Sequence, residues 1–453
     1  MDEADSMFLD TALSGARIAS RAQQNSVEHF KWIWQYTKDR DRTTVDELKD
    51  YLYQHAPDNS GWSCTIKELN AWLNASEKAK NMHLNIDYVT APNDDNIMEI
   101  VIVDKKHTGA LLVGQTWSKG LTQIISAKHN IPIPNETRTL ASMSHVNFFR
   151  LYQNTIIGLT GTLGDNYIRN EFSEVYGLST YDSPRYRESN KEMMPHELYD
   201  TKTMQYEGVL AVVRKMVEDN RPVLIISEHI QETLSLKAKL QKLSDELGCC
   251  LQLYNAVQEE NVESILSFAG TIKTITIATN TAGRGADIVP SPAAEAAGGL
   301  HVILTFPTEN KRVEEQAFGR TGRQGRKGTF QYILDYNRLE KSAQKVGCYD
   351  EEISIHQWLL QRELYCQQGS QNRIHSIGFK HQQYCAFEFI ASLPSPVVYK
   401  ALEHWENAYA LINSAVNSAN DPETLRSTIY MHVHNIWAKI LKEEDTDQIK
   451  DEL

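Results

Sequence analysis

The sequence has 453 residues, and single hydrophobic cores stop growing near about 250–300 residues, so we expect two to four domains. Its 41% hydrophobic and 23% charged residues are typical of a soluble globular protein, and its formal net charge of −13 argues against broad non-specific binding to nucleic acid. No run approaches the about 18 apolar residues of a membrane span, the acidic first residues are not a signal peptide, and six scattered cysteines predict reduced cytosolic thiols.

The chain begins with the acidic run Asp2-Glu3-Ala4-Asp5-Ser6. An Asp-Glu pair at the end of a strand is how P-loop ATPases place one carboxylate on Mg²⁺ and another beside the attacking water. The strand that should precede the pair is missing here, and the 453 residues contain no GxxxxGK[ST] loop to hold phosphates. An acidic first turn of a helix is the other interpretation of the run.

The next part of the chain mixes helices with short strands. Apolar residues recur at helical spacing between residues 25 and 73, and residues 97–103 form an apolar run that predicts a strand. A helix is predicted to begin near Ser118, its natural N-cap, and another helical run is predicted from Thr139 to Tyr152. A strand from Thr155 is then expected to end in the hydroxyl-rich turn Thr160-Gly161-Thr162.

From residue 165 onward strands and helices alternate. The predicted strands cover residues 222–227, 251–254, 274–278, 299–305 and 329–334, with helices at 206–217, 230–247 and 259–269 between the first of them. This alternation predicts an α/β lobe with a parallel sheet. Residues 336–453 are predicted to be mostly helical and are interrupted by Pro394-Ser395-Pro396.

Two glycine-rich loops that carry arginine follow strands of this lobe. The first contains Gly283-Arg284-Gly285 and then Asp287, and the second contains Gln316, Gly319-Arg320 and Arg323. Glycines let the backbone approach a polyphosphate, and arginines supply charge to a phosphoryl group in transfer. The pair of loops therefore predicts a nucleoside-triphosphate site on this lobe, although each loop alone is also compatible with an ordinary turn.

These residues together resemble SecA, the ATPase family of preprotein translocation and a relative of the superfamily 2 helicases. The resemblance covers roughly residues 1–12 and 100–335. It is carried by runs that follow the family's order: Asp2 to Ser6, Trp117-Ser118 with Gly120-Leu121, Thr160-Gly161-Thr162, Ile277 to Asp287, Gly298 to Ile303, and Gln316 to Gly325. Generic helicases lack the Trp-Ser-x-Gly-Leu block and the Asn-x-Ala-Gly-Arg-Gly-x-Asp spelling.

The resemblance implies a set of site residues for ATP and Mg²⁺. Asp2 would hold Mg²⁺ through the nucleotide, and Glu3 would polarise the attacking water. Arg320 and Arg323 would stabilise the charge of the transition state, a contribution worth about 10³–10⁵ in rate. Nucleotide contacts are implied for Asp2, Gly283, Arg284, Gly285, Asp287 and Gln316. Thr160, Gly161 and Thr162 would couple the nucleotide state to movement of the lobes.

The family also implies a domain plan, which we state as an expectation. The fold class is α/β, with a RecA-like parallel-sheet lobe of the helicase C-terminal type, an inserted α+β crosslinking-like domain and a helical C-terminal region. The parts are a remnant of the first RecA-like lobe at 1–12, a preprotein-crosslinking-like insertion at 13–138, a return to the first lobe at 139–164, the second RecA-like lobe at 165–335, and the helical region at 336–453.

The chain also departs from the family. The first lobe is almost absent, and the family's His-Glu-Ser-Arg-Arg run is replaced by Thr308-Glu309-Asn310-Lys311-Arg312. Residues 336–453 match nothing in SecA strongly, and the family's cysteine-rich zinc tail is missing. We therefore expect negligible ATP turnover from this chain alone, whether it is a truncated product, a partial gene or half of a split motor.

Three functions stay open at this point. The first is a SecA-like motor that binds an unfolded preprotein, with a possible membrane channel as partner. The others are a superfamily 2 RNA or DNA helicase, and a polypeptide-binding module without enzymatic activity. We expect a cytoplasmic chain, at most peripherally attached to a membrane, and no specific nucleic acid. The C-terminal Lys450-Asp451-Glu452-Leu453 spells a retrieval signal of the endoplasmic reticulum, which we interpret as coincidence.

Overall fold

The computed structural model describes residues 1–10, 12, 15–21, 27–55, 64–104, 111–135, 137–152, 155–255, 262–279, 287–349 and 352–392. The chain divides into two compact units. The first unit contains residues 1–15, 143–181 and 364–453, and the second contains residues 16–142 and 182–363. The domain boundaries expected from the sequence stay a prediction.

The strands of the described residues are β1 Gly15–Arg21, β2 Tyr88–Pro92, β3 Met98–Val103, β4 Leu111–Leu112, β5 Thr137–Ser144, β6 Asn190–Met193, β7 Glu197–Tyr199, β8 Val223–Ser227, β9 Cys250–Tyr254, β10 Thr274–Thr279, β11 Leu300–Leu304 and β12 Lys327–Asp335. The helices are α1 Glu28–Thr37, α2 Val45–His55, α3 Ile66–Lys80, α4 Leu121–Lys128, α5 His145–Arg150, α6 Asn166–Tyr176, α7 Lys202–Glu218, α8 Ile230–Leu247, α9 Val262–Ala269, α10 Pro292–Ala296, α11 Lys311–Phe318, α12 Tyr336–Lys345 and α13 Ile355–Ser392.

The main feature of the second unit is a sheet of seven strands, all of whose pairings are parallel. Its order is β6-β12-β11-β8-β10-β9, and β7 also pairs with β12. The central strands β8, β10 and β11 are buried along their whole length. Successive side chains of β8 lie on opposite faces of the sheet and pack into different cores. Val223 and Ile225 belong to one hydrophobic cluster, and Leu224 and Ile226 belong to the other. Runs that are apolar on both faces are typical of such covered parallel sheets, so the predicted α/β fold is confirmed.

A glycine is required where β11 begins. Gly299 has φ +76°, and a Cβ there would lie 1.9 Å from the backbone oxygen of Lys327. The absence of a side chain thus lets the start of β11 approach the first residue of β12. This explains physically why the sequence places a Gly-Gly pair before the buried strand.

The second unit also contains a smaller α+β part. Helices α1 to α4 enclose a core around Phe30, Leu48, Leu69 and Trp72. Strands β2, β3 and β4 form an antiparallel sheet beside them. The capping box of Thr65 and Glu68 begins α3: the Thr65 hydroxyl accepts the Glu68 N–H, and the Glu68 carboxylate accepts the Thr65 N–H at 2.8 Å.

The core of the first unit is aromatic and apolar. Phe8, in a short π-helical turn at Ser6–Asp10, packs against the rings of Phe149, Phe172 and Tyr176. Tyr176 also donates its hydroxyl to the Phe8 backbone oxygen at 2.8 Å. These contacts join the beginning of the chain to α5 and α6.

Three predictions from the sequence are wrong in detail. The helix expected from Ser118 begins at Leu121, because Gly120 has φ 80° and lies outside the helical region. The helical run expected from Thr139 is strand β5 up to Ser144, paired with β1, and only α5 is helical. The strand expected from Thr155 is not regular: its backbone pairs with residues 1–4, where the Leu159 N–H donates to the Met1 oxygen at 2.8 Å.

Several predicted helices and strands are confirmed. Helix α8 has the predicted limits of residues 230–247, and the predicted strands of the main sheet all lie within about two residues of the observed ones. The predicted break at residues 394–396 lies outside the described residues. Among the helices that are described, none is both long enough and apolar enough to cross a membrane.

Candidate functional site

The second predicted arginine loop, residues 319–326, follows α11 in the second unit. Asn310 begins this helix, because its Oδ1 accepts the Val313 N–H at 2.9 Å. Asn310 belongs to the run Thr308 to Arg312, which departs from the pattern of the SecA family. At the other end, the Thr321 hydroxyl donates to the Leu300 oxygen of β11 at 2.7 Å. The loop is thus fixed to the main sheet.

Arg323 and Asp287 are brought together, although 36 residues separate them. Nη1 of Arg323 lies 2.9 Å from Oδ1 of Asp287, and Nε of Arg323 donates to the Gly319 oxygen at 2.8 Å. Both side chains are partly exposed, so solvent weakens the ion pair, which contributes at most about 1 kcal/mol. Its main consequence is a guanidinium group held in a defined orientation, with access to solvent.

Arg320 and Gln316 lie on the same segment as Arg323. Arg320 is only 6% exposed, and Gln316 is partly buried on α11. Gln316 lies on α11, and Arg320 and Arg323 lie on the loop that follows it. The three predicted site residues are thus close together in the chain. Gly283, Arg284 and Gly285, which the sequence assigns to the other loop, lie outside the described residues.

The predicted carboxylates lie in the first unit. Asp2 is exposed, and its Oδ1 accepts the backbone N–H of Glu3 at 2.9 Å. Glu3 has φ 49°, a conformation that residues other than glycine rarely adopt. Such backbone strain is common at functional sites, where the surrounding structure maintains it.

Sequence reasoning missed the role of Asp5. This residue is completely buried and accepts a hydrogen bond from the Thr160 hydroxyl at 2.8 Å. Thr160 in turn accepts the backbone N–H of Thr162 at 3.1 Å through the same oxygen. The acidic run and the Thr160-Gly161-Thr162 turn are therefore bonded to each other. The available signal was the third carboxylate of the acidic run, Asp5, but 155 positions separate it from Thr160.

An ionic cluster lies where strands β8, β11 and β12 end. Glu232 of α8 binds Arg338 of α12, whose Nη1 is 3.1 and 3.2 Å from its two carboxylate oxygens, and it also binds Lys202 of α7. Burial alone would raise the pKa of Glu232, but Arg338 and Lys202 hold this pKa below its usual value. Because these charges pair with one another, we interpret the cluster as a structural joint between three helices.

No metal site is formed by the protein alone in the described part of the chain. No group of three or more His, Cys, Asp or Glu side chains there is arranged to hold a metal ion. Mg²⁺ usually keeps several waters and takes one or two carboxylates together with substrate phosphates. The exposed carboxylate of Asp2 fits that second kind of site.

Two family models match this chain. Residues 1–173 match the SecA DEAD-like domain, and residues 188–295 match the SecA P-loop domain. The chain belongs to the SecA family. The predicted resemblance is therefore confirmed, and the two SecA models cover the acidic run, the Thr160-Gly161-Thr162 turn and the strands up to α10.

The curated relatives in this family are described as SecA subunits of protein translocase. The protein of Nitratidesulfovibrio vulgaris is 32% identical over 278 residues, which is 59% of this chain and 32% of that protein. The protein of Halothermothrix orenii is 31% identical over 351 residues, 74% of this chain and 40% of that protein. The protein of Syntrophobacter fumaroxidans is 28% identical over 427 residues, 88% of this chain and 48% of that protein. The chain thus spans less than half the length of these SecA relatives.

Solved structures are similar only at a low level. The C-terminal part of the Fun30 ATPase domain is 17% identical with a TM-score of 0.25, covering 34% of this chain and 48% of that chain. Mss116p, solved with single-stranded RNA and AMP-PNP, is 11% identical with a TM-score of 0.31, covering 64% of this chain and 53% of that chain. These similarities are too low to assign a function.

Proposed function

We propose that this chain is part of a SecA-like motor that uses ATP to move preproteins across a membrane. The observation that carries the proposal is the match of residues 1–173 and 188–295 to two successive SecA domains. The relatives are protein translocase subunits, and this chain corresponds to less than half of each. Transport activity is therefore proposed for the assembled motor.

ATP supplies the phosphoryl group whose transfer drives such a motor. In the first unit, Asp2 would bind Mg²⁺ jointly with the nucleotide, because its exposed carboxylate has oxygen lone pairs beyond the one that accepts the Glu3 N–H. Glu3 would orient and polarise the attacking water. The hydrogen bond between Thr160 and Asp5 supports a coupling role for the Thr160-Gly161-Thr162 turn, since it joins that turn to the acidic run.

The arginine loop would act on the negative charge of the reacting phosphoryl group. Arg323 is suited to this role because Asp287 and the Gly319 oxygen already orient its guanidinium group. Preorganised positive groups lower the barrier because they need little rearrangement when charge develops. Arg320 would supply further positive charge, Gln316 would contact the nucleotide, and Gly283, Arg284 and Gly285 would add backbone and side-chain contacts to it.

The substrate would be an unfolded preprotein, gripped by the insertion at residues 13–138. Main-chain hydrogen bonding and apolar contacts suit such a substrate, because they do not depend on its sequence. A membrane translocation channel would be the second partner, reached from the cytoplasm by peripheral attachment. Residues 336–453 receive no role in this proposal.

The proposal is tested by comparing the affinities of the chain for an unfolded preprotein and for single-stranded RNA. We expect fluorescence anisotropy to detect preprotein binding that changes less than about threefold between 50 and 200 mM salt, and to detect much weaker RNA binding. A protein that contacts six to ten phosphates loses about 10³–10⁵ in affinity over that range. Tight, salt-sensitive RNA binding without preprotein binding would instead support the helicase.

A further inference from the structure

Four polar side chains close a ring between α11, β12 and α13 in the second unit. Nη1 of Arg362 donates to the Thr308 hydroxyl at 2.7 Å and to the Glu314 carboxylate at 2.8 Å. The Tyr332 hydroxyl lies 2.8 Å from the Thr308 hydroxyl and donates to the same Glu314 oxygen at 2.9 Å. The ring joins residues on three separate elements and on the loop before α11.

One arrangement of protons satisfies every bond of the ring. Tyr332 uses its single O–H for Glu314, so the Thr308 O–H donates to the Tyr332 oxygen. The Thr308 oxygen then accepts from Arg362. All donations therefore lead from the Arg362 cation to the Glu314 anion, directly or through the two hydroxyls. Such a fully bonded buried network is rigid and specifies one geometry.

The ring is shielded from water. Thr308 and Tyr332 are completely buried, and the side chains of Arg362 and Glu314 are 3% and 21% exposed. The indole ring of Trp358, one turn earlier on α13, lies 5.0 Å from the Arg362 guanidinium carbon. Nη2 of Arg362 also binds the Glu363 carboxylate at 3.0 Å. Removing Arg362 would leave the Glu314 charge with the Tyr332 hydroxyl as its bonding partner in the ring, and removing the Glu314 charge would leave Arg362 with Glu363 alone as its anion in the ring region, so either loss is unfavourable.

The ring is attached to the helix that leads into the arginine loop. Glu314 lies on α11, two positions before Gln316 and six before Arg320. Helix α11 has only 8 residues, and its C-terminal end is already fixed to the sheet through Thr321. A charged bond from Glu314 to α13 therefore fixes the rotation of α11 about its own axis.

We propose that Arg362 is a positioning residue that orients α11 and thereby the side chains of Gln316, Arg320 and Arg323. Thr308 belongs to the run that departs from the family's His-Glu-Ser-Arg-Arg, so the resemblance did not imply the bonds described here. The catalytic role of this loop rests on the proposed function. The orientation of α11 can be tested separately, because the measurement needs neither ATP nor preprotein.

The test is hydrogen exchange of the full chain in wild type and in Arg362→Met, Glu314→Gln and Arg362→Lys variants, read by mass spectrometry. We expect Arg362→Met and Glu314→Gln to raise amide exchange of residues 316–326 about tenfold, with β8 and β10 unchanged. Arg362→Lys keeps the charge without the planar fork, so it should restore most of the protection. Arg214→Met serves as the control, because its ion pair with Glu246 is exposed and lies on α7 and α8.

Two results would overturn the proposal. One is unchanged exchange of residues 316–326 in folded Arg362→Met or Glu314→Gln protein. The other is an equal rise in β8, β10 and the loop, which would show a general loss of stability. If Arg362→Met does not fold, Glu314→Gln still decides the question, because it removes the charge and keeps the size and polarity of the side chain.

Discussion

Replacing Glu232 with alanine is expected to lower the free energy of unfolding by about 3–5 kcal/mol, the usual cost of breaking a buried ion pair. The Glu232 side chain is 6% exposed and binds both Arg338 and Lys202, while its Oε2 also accepts the Glu228 N–H at 3.3 Å. Without the carboxylate, two partly exposed cations would remain close together, Arg338 with Glu228 at 3.3 Å and Lys202 with Asp335 at 4.0 Å. Urea unfolding followed by circular dichroism measures the change as a shift of the midpoint at constant slope.

The matched control is Glu246→Ala. Glu246 also binds an arginine, at 2.9 Å, but the side chains of Arg214 and Glu246 are 47% and 45% exposed. Exposed pairs contribute about 0–1 kcal/mol, so this variant should unfold near the wild-type midpoint. Equal midpoints for the two variants would show that burial of the Glu232 cluster has no energetic consequence.

The stability of the second unit is expected to fall between pH 6.5 and pH 3 because of His301. This side chain is completely buried in β11, and burial together with the nearby charge of Arg221 lowers its pKa from 6.5 to about 3. Between pH 6.5 and pH 3, His301 of the unfolded chain therefore binds a proton, while His301 of the folded chain stays neutral. The free energy of unfolding then decreases by about 1.4 kcal/mol per pH unit, or about 5 kcal/mol in total, and levels off below pH 3.

The local contacts agree with a neutral His301. Its Nδ1 lies 2.7 Å from the Thr329 hydroxyl, which also accepts a hydrogen bond from Nη2 of Arg221 at 2.6 Å. A neutral ring fits these contacts, because the Thr329 hydroxyl can donate to Nδ1 while it accepts from Arg221. We expect His301→Leu to flatten the pH dependence of unfolding in this range. A wild-type slope in His301→Leu would contradict this account.

Secondary structure could be predicted from the sequence where a segment has the same environment along its whole length. The strands β8, β10 and β11 are apolar and β-branched throughout because both faces of the sheet are covered, so their position and type follow from local composition. Helix α8 has an apolar stripe and is followed by Gly248, which adopts φ 59°, so its C-terminal limit follows from the local sequence.

Pairing over long distances could not be predicted in the same way. Leu140 and Met143 have helical spacing, yet β5 is a strand because it pairs with β1, more than a hundred residues earlier. The bonds from Thr160 to Asp5 and from Arg362 to Glu314 are likewise absent from any local pattern. For the candidate site, the sequence predicted residue types and motif order, while the ion pair of Arg323 with Asp287 emerged only from the folded chain.

The central claim is that the α+β part of the second unit grips unfolded preprotein. It is tested most directly by a photo-crosslinking residue at Ile97, which is 47% exposed in the turn between β2 and β3. Ile272 provides the matched control, because it is also an isoleucine in a turn, 40% exposed, but next to β10 of the main sheet. We predict that an unfolded preprotein crosslinks at position 97 at least about five times more than at position 272, and that excess unlabelled preprotein competes. Equal crosslinking at both positions, or competition by RNA instead of preprotein, would contradict the claim.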